Sequence, residues 1–335
     1  MVSLKDIAGH CGVSVATVSK ALNGQSDISA ETRERICAAA EEMGYMANAA
    51  ARALKTRRSY NIGVLFVDQR SSGLAHEYFS AVLDSLRVEA EQNGYDITFI
   101  NRNVGKRPTS YLQHCLHRGV DGVVIASVDF SDPMVAELAQ SNLPVVTIDH
   151  VFPGRCAVLS DNTEGMRSLV RYALRRGHRD VALIHGELTS VTGKRLAGFR
   201  EACEEAQLRI PAGRILQGAY HDSDTCYRLT KQLLSAPPRP TCIFFPDDFS
   251  AIGGMNAIRE AGLRIPEDIS ILGYDGIRLS QMYSPKLATW KQDTAALGAS
   301  AAAELIALIE QPGTAPEIRT VPGSLIEGES VDLRF

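Results

Sequence analysis

Several strands read from this sequence end in a carboxylate. Asp68 follows the apolar run Ile62–Val67, and Asp149 closes Val145–Asp149. Asp247 and Asp248 follow Cys242–Phe245, Asp275 follows Ile269–Tyr274, and Arg195 comes after Val181–His185. Ionised carboxylates accept pairs of hydroxyl hydrogen bonds, and a guanidinium donates to ring and hydroxyl oxygens. Tyr78, Phe79, Tyr220, Phe249 and Trp290 supply faces on which a sugar ring can stack. This is the chemistry of holding a polyol. Acids at strand ends also serve as helix N-caps, a reading that weighs most on Asp68 and Asp248. It weighs least on Asp275, which sits between Leu272-Gly273-Tyr274 and Gly276.

A second cluster lies near the amino terminus. Val15, Ala16, Thr17, Ser19 and Lys20 occupy the outward positions of a short helix. A merely solvated face would carry more Glu, Lys and Arg. Small residues let a helix sit deep in the major groove, where apolar groups meet thymine methyls and a cation reaches guanine. Further on, Asn48-Ala49-Ala50-Ala51-Arg52-Ala53-Leu54 is a short helical stretch with one large apolar side chain, and Lys55, Arg57 and Arg58 follow. At about seven residues it is too short to be helical alone. An apolar wedge beside cations suits a minor-groove kink, with Leu54 unstacking a base step and the cations holding phosphates. A flexible linker with an incidental leucine is the plainer alternative.

The elements that position these groups can be read in turn. Ser3 caps a helix through Cys11, Gly12 turns the chain, and Ser14 caps Val15 to Leu22. Asn23-Gly24 ends that helix, and Ser29 opens a third, closed by Gly44. Helix, tight turn, helix is the helix-turn-helix pattern. From Asn61 onward strands alternate with helices such as Tyr78–Asn93, Tyr111–Arg118, Arg167–Arg176 and Ala251–Ala261. Several strands are continuous apolar runs, as expected where both faces are covered. Two such sets, before and after about residue 160, predict two α/β lobes with parallel sheets. Ligands bind beyond the carboxyl ends of such strands, so the site is expected between the lobes.

Composition bounds the function. The 335 residues are 45% apolar and 22% charged, which suits a folded protein of about two domains. No apolar run reaches membrane-spanning length, and the start Met1-Val2-Ser3-Leu4-Lys5-Asp6 does not read as a secretory signal. Seven cysteines form no CxxC pair, which fits small buried thiols in a reducing cytoplasm. No metal and no cofactor is expected. GxxxxGK[ST] and HExxH are absent, and His76, His178 and His185 read as pocket or structural groups, so an enzyme is not expected. The net charge of −4 is uneven. Residues 1–59 hold eight bases and six acids, a balance of +2 that leaves −6 for the rest, and residues 48–60 hold four bases and no acid.

The head resembles the LacI/GalR family of transcription regulators. The matching residues are Lys5-Asp6-Ile7-Ala8, Gly12-Val13-Ser14, Ala16-Thr17-Val18-Ser19-Lys20, Leu22-Asn23-Gly24, Glu31-Thr32-Arg33-Glu34-Arg35-Ile36, Gly44-Tyr45, Asn48-Ala49 and Ala53-Leu54. The body matches at Asp161-Asn162, Gly177-His178-Arg179, Arg195-Leu196-Ala197-Gly198-Phe199, Ile265-Pro266-Glu267-Asp268-Ile269-Ser270, Gly273-Tyr274-Asp275 and Ser284-Pro285 with Leu287. The resemblance implies that Val15, Ala16 and Lys20 read bases and that Leu54 enters the minor groove. It makes Ser14, Thr17, Ser19 and Asn23 phosphate or positioning contacts, with Asn48, Ala51 and Lys55 in the DNA-binding set. It puts Asp149, Arg195, Asp247 and Asp275 in an effector pocket, with Tyr78, Phe79 and Tyr220 near it, to which the stacking reading adds Trp290. Asp247 stands where sugar-binding members often carry Asn, which disfavours anionic effectors.

The expected architecture is a helix-turn-helix headpiece at 1–47, a hinge helix and linker at 48–59, and an effector-binding and dimerisation domain at 60–335. That domain is periplasmic-binding-protein-like, its N-lobe about 60–160 plus 291–322 and its C-lobe about 161–290 plus 323–335. The expected function is a cytoplasmic repressor that binds a palindromic operator as a homodimer under control of a small neutral sugar. A sugar-binding transport or sensing component is the alternative, but it predicts an export signal and no DNA head. A regulator answering to a nucleobase is another.

Overall fold

Local capping decides where the first helices start and stop. Ser3 accepts the Asp6 N–H while the Asp6 carboxylate accepts the Ser3 N–H, a reciprocal box that opens α1 (Leu4–Cys11), and left-handed Gly12 ends it. The Ser14 hydroxyl accepts the Thr17 N–H at 3.0 Å and starts α2 (Val15–Leu22). Ser29 does the same for Thr32 at the head of α3 (Ala30–Glu42). Ile7, Ala8, Val18, Ala21, Ile36 and Ala40 close a small core among the three helices.

The computed structural model describes residues 2–22, 24–25, 27–45, 58–67 and 73–334. Asn23, Asn48, Ala51, Leu54, Lys55 and Asp68, singled out above, lie outside the described residues. The chain divides into two compact units, Met1–Ser59 and Tyr60–Phe335.

The larger unit alternates strand and helix. It begins β1 (Asn61–Phe66), α4 (Glu77–Gln92), β2 (Asp96–Phe99), a small hairpin β3 (Asn103–Val104) and β4 (Arg107–Pro108), then α5 (Tyr111–Arg118). β5 (Gly122–Ala126), α6 (Pro133–Gln140), β6 (Val145–Ile148), β7 (Cys156–Ser160) and α7 (Asn162–Arg175) follow. Next come β8 (Val181–His185), α8 (Ser190–Glu205), β9 (Ile215–Gln217), α9 (Ser223–Ser235), β10 (Cys242–Phe244), α10 (Asp248–Glu260) and β11 (Ser270–Asp275). β12 (Ala288–Lys291), α11 (Thr294–Glu310), β13 (Ile318–Val321) and β14 (Ser324–Ile326) complete it.

Two six-stranded sheets result, β13-β7-β6-β5-β1-β2 and β14-β12-β11-β10-β8-β9. The first is parallel throughout, and the second is parallel except where β14 pairs antiparallel with β12. The chain passes from one sheet to the other after β7, after β12 and between β13 and β14. Helices cover both faces of each sheet. β5 and β6 are therefore buried from end to end, as their apolar runs predicted.

Three main-sheet strands carry a weak sequence signal or none. β12 and β14 have four and three residues. β13 (Ile318-Arg319-Thr320-Val321) is an exposed edge with no apolar alternation, whereas β7 is a fully buried apolar run that was not among the strands read from the sequence. Two helices begin earlier than their apolar periodicity indicates. Asp161 caps α7 by accepting the Glu164 N–H, and Asp247 caps α10 by accepting the Ser250 N–H.

Candidate functional site

The carboxyl ends of both sheets bring one polar cluster together. Asp149 follows β6, Asp275 ends β11, Asp247 follows β10 and Tyr220 follows β9. Arg195 projects from α8, Tyr78 from the first turn of α4, and Gln292 lies between β12 and α11. Asp149 and Asp275 have φ of +59° and +100°, the left-handed region that costs a side-chain-bearing residue energy. Such strain persists where the surroundings over-determine it, as at ligand sites.

Arg195 is the electrostatic centre. Its Nε donates to Asn162 Oδ1 and one terminal nitrogen donates to the Pro246 carbonyl, both at 2.8 Å. The other terminal nitrogen lies 3.7 Å from Asp275 Oδ1. The guanidinium carbon sits 3.5 Å from the centre of the Tyr274 ring and 5.5 Å from that of Tyr220. Burial works against the charge, but the tyrosine oxygens and carboxylates around it more than offset this and hold it protonated.

The two forward carboxylates are differently held. Asp149 Oδ1 accepts the Ser160 N–H at 2.7 Å, and its other oxygen faces the Tyr78 hydroxyl at 3.4 Å. Asp275 Oδ1 accepts from the Gln292 amide at 2.7 Å. Burial raises both pKa values, that of Asp275 to about 6, with Arg195 pulling the other way. Tyr78 is raised by burial and by the neighbouring Asp149 charge, so it stays a neutral hydroxyl. Gln292 also accepts from Tyr78 at 3.5 Å and so links a residue of each lobe.

The adjacent pair Asp247 and Asp248 is occupied by the fold. Asp247 accepts from the Ser250 N–H and hydroxyl and from the His221 N–H, which fixes the loop that carries Tyr220. Asp248 accepts from the Thr289 hydroxyl at 2.6 Å and the Ile277 N–H at 2.9 Å, and burial with the charge of Asp275 raises its pKa well up. The capping role expected for Asp248 thus falls to Asp247, one residue earlier. Trp290 stands beside Tyr274 on the neighbouring strand and packs in the C-lobe core with Met166 and Leu169, its ring given to that core. Phe79 packs against Phe66 and the imidazole of His76.

Several residues join the site that the sequence reading did not single out for it. Asn162 orients Arg195, and Thr192 shares a 2.8 Å hydrogen bond with the Tyr220 hydroxyl. His221 stacks between His76 and Phe249, at 4.1 and 4.0 Å, and so joins the two lobes. The signal for Asn162 was its place in a matched motif. Gln292 and the histidine stack come together only through tertiary structure.

In the smaller unit, α2 turns Val18 and Ala21 into the core and leaves Val15, Ala16 and Lys20 exposed. Ser14 and Thr17 share a 2.8 Å hydrogen bond at the start of the helix. The outward face is thus apolar and short-polar with one cation. Among the described residues no group of acidic, histidine or cysteine side chains could hold a metal ion, and no helix is long and apolar enough to cross a membrane.

The description "Bacterial regulatory proteins, lacI family" matches residues 3–48, and "Periplasmic binding protein-like domain" matches residues 170–331. A helix-turn-helix unit followed by a two-sheet parallel α/β unit of this kind defines a DNA-binding transcription regulator with an effector domain. The chain is 34% identical over 340 residues to the HTH-type transcriptional repressor PurR of Escherichia coli O139:H28 (strain E24377A / ETEC), covering 99% of this chain and 97% of that one. The chain belongs to the LacI family. The lac repressor dimer bound to operator and the anti-inducer ONPF matches at TM-score 0.81 and 30% identity, over 99% of each chain. A LacI family regulator from Enterococcus faecium with bound ribose matches at TM-score 0.70 and 26% identity, over 82% of this chain and all of that one.

Proposed function

We propose that this regulator is a cytoplasmic repressor that binds a palindromic operator as a homodimer and answers to a small neutral sugar held between its lobes. The observation that carries the sugar reading is the state of Arg195. Two of its nitrogens donate to Asn162 and Pro246, the third faces Asp275, and its face lies on Tyr274. A phosphate or carboxylate ligand would have to compete for that cation against Asp275 and would meet Asp149 as well. A hydroxyl-bearing ring meets acceptors in Asp149 and Asp275 and the neutral hydroxyls of Tyr78 and Tyr220. Tyr220 carries a face as well. Asp247 contributes by holding the Tyr220 loop.

In the head, Val15, Ala16 and Lys20 read base edges, while Ser14, Thr17, Ser19 and Asn23 contact or position phosphates. Asn48, Ala51, Leu54 and Lys55 act at the operator centre. One helix-turn-helix reads one half-site, so two heads are needed.

A thermal-shift screen tests the effector class. Neutral monosaccharides and disaccharides, sugar phosphates and nucleobases are each added to the full chain. A ligand at a hundred times its Kd adds about 2.7 kcal/mol of stability. A neutral sugar is expected to raise the Tm of the wild type and to leave Asp275→Ala unmoved. A shift with nucleobases and none with sugars sinks the sugar reading and supports the nucleobase alternative.

A further inference from the structure

The head is not the positive module that a DNA reader suggests. Residues 1–45 contain four side-chain cations, Lys5, Lys20, Arg33 and Arg35, against six carboxylates, a balance of −2. The bases of the first sixty residues are concentrated at 52–58. On α2 Lys20 is the single cation, and it is not free. Its ammonium lies 2.5 Å from Asp27 Oδ2, with the two side chains 47% and 53% exposed. Ahead of Asp27, Gly24 and Gln25 are tied back to the helix end. Gly24 N–H donates to the Ala21 carbonyl and Gln25 N–H to the Lys20 carbonyl, both at 3.1 Å, and Arg33 donates to the Gln25 carbonyl at 3.2 Å. These contacts and the Lys20–Asp27 pair all lie within the head.

We propose that Asp27 is a specificity-determining residue, which occupies the ammonium of Lys20 away from the operator and releases it only to base acceptors. The proposal rests on the reading of α2 as the base-reading helix. Non-specific binding is driven by neutralising phosphates and releasing their counterions. An ammonium already held by a carboxylate releases little, and the same carboxylate repels the phosphate that would replace it. A guanine edge presents two acceptors to a cation inside the groove and competes better. Asp27 therefore weakens non-specific binding more than operator binding. Specificity is that difference, and it is here raised by making the wrong partner worse.

The test uses the full chain with two duplexes, one enriched from a random library by the wild type and one of unrelated sequence. Asp27→Asn is expected to raise affinity for the unrelated duplex about two- to fivefold. It should also steepen the slope of log K against log salt there by about 0.9, the value of one added phosphate contact. Affinity for the enriched duplex should change less, so the ratio between the two falls. Asp27→Ser, a second variant, should act in the same direction. In a Lys20→Ala background the gain from Asp27→Asn should vanish. Unchanged affinity and slope on the unrelated duplex in both Asp27 variants overturn the proposal. So does a gain that persists without Lys20, because it would be simple charge removal. Lys20→Ala alone should weaken binding to the enriched duplex. If it does not, the base-reading role of α2 has failed, and the proposal with it.

Discussion

Asp275 couples the charge of the site to the stability of the fold. Burial raises its pKa from 3.8 to about 6, against the pull of Arg195. Between those values the native protein keeps a proton that the unfolded chain has lost. Stability therefore falls as pH rises through this window, and the penalty is fully present above about pH 6. A shift of about two units corresponds to roughly 3 kcal/mol at full size. Asp275→Asn removes the titration while keeping the shape. Asp149 and Asp248 are also raised by burial, and the Asp275 charge adds to the rise at Asp248, so its removal in the variant relieves that group in the same direction. The urea-unfolding free energy of Asp275→Asn relative to wild type should become more favourable from about pH 4 to about pH 6. A difference that stays flat across that range would falsify the burial argument. Asn162 acts at the same scale through Arg195. Asn162→Ala frees the Nε donor and should weaken sugar binding, measured by calorimetry, with little change in operator affinity in the absence of sugar.

At the scale of elements, close helix contacts set what the sequence can vary. A Cβ at Gly298 of α11 would lie 2.1 Å from Ser85 Oγ and from the Val82 carbonyl oxygen, both on α4. Helix propensity alone makes Ala better than Gly by about 1 kcal/mol. Forcing two helices apart costs typically 1–3 kcal/mol. Gly298→Ala is therefore expected to destabilise, by up to about 2 kcal/mol in urea unfolding. Stabilisation would mean that α11 can slide on α4. Elements that announce themselves locally were legible in the sequence. Ser3, Ser14 and Ser29 cap the helices they were expected to cap, and the buried strands β5 and β6 show as apolar runs. The edge strands β13 and β14 did not, because an edge needs no apolar run and a three-residue strand has no measurable period. In the site, the carboxylates Asp149 and Asp275 were legible because strand ends point to the cleft. The exchange of roles between Asp247 and Asp248 was not, since only the loop at 277 and the hydroxyl of Thr289 decide which of two adjacent acids turns inward.

At the scale of the molecule, a sugar can control DNA binding only if it favours one arrangement of the lobes over another. The contacts that would carry this preference join the lobes directly. They include the Gln292 amide donating to Asp275 at 2.7 Å, His76 stacked on His221, and the Ser190 hydroxyl donating to the Asp149 carbonyl at 2.9 Å. Operator binding on the proposed reading has two parts with different charge. The head carries −2 over residues 1–45, while Arg52, Lys55, Arg57 and Arg58 follow in the linker with no acid among them. Phosphate attraction then belongs mainly to the linker cations, and sequence discrimination to α2 and Leu54. Truncating Leu54 removes the wedge and no charge. Leu54→Ala should therefore reduce affinity for the selected operator at least tenfold, on the order of a lost unstacking contact of a few kcal/mol. Affinity for unrelated duplex, and the salt slope on both, should stay close to wild type because the count of phosphate contacts is unchanged. The response to sugar should shrink in parallel, since the sugar acts on the specific complex that the wedge helps to form. Equal loss on both duplexes would instead place Leu54 in the general folding of the linker and leave discrimination to α2 alone.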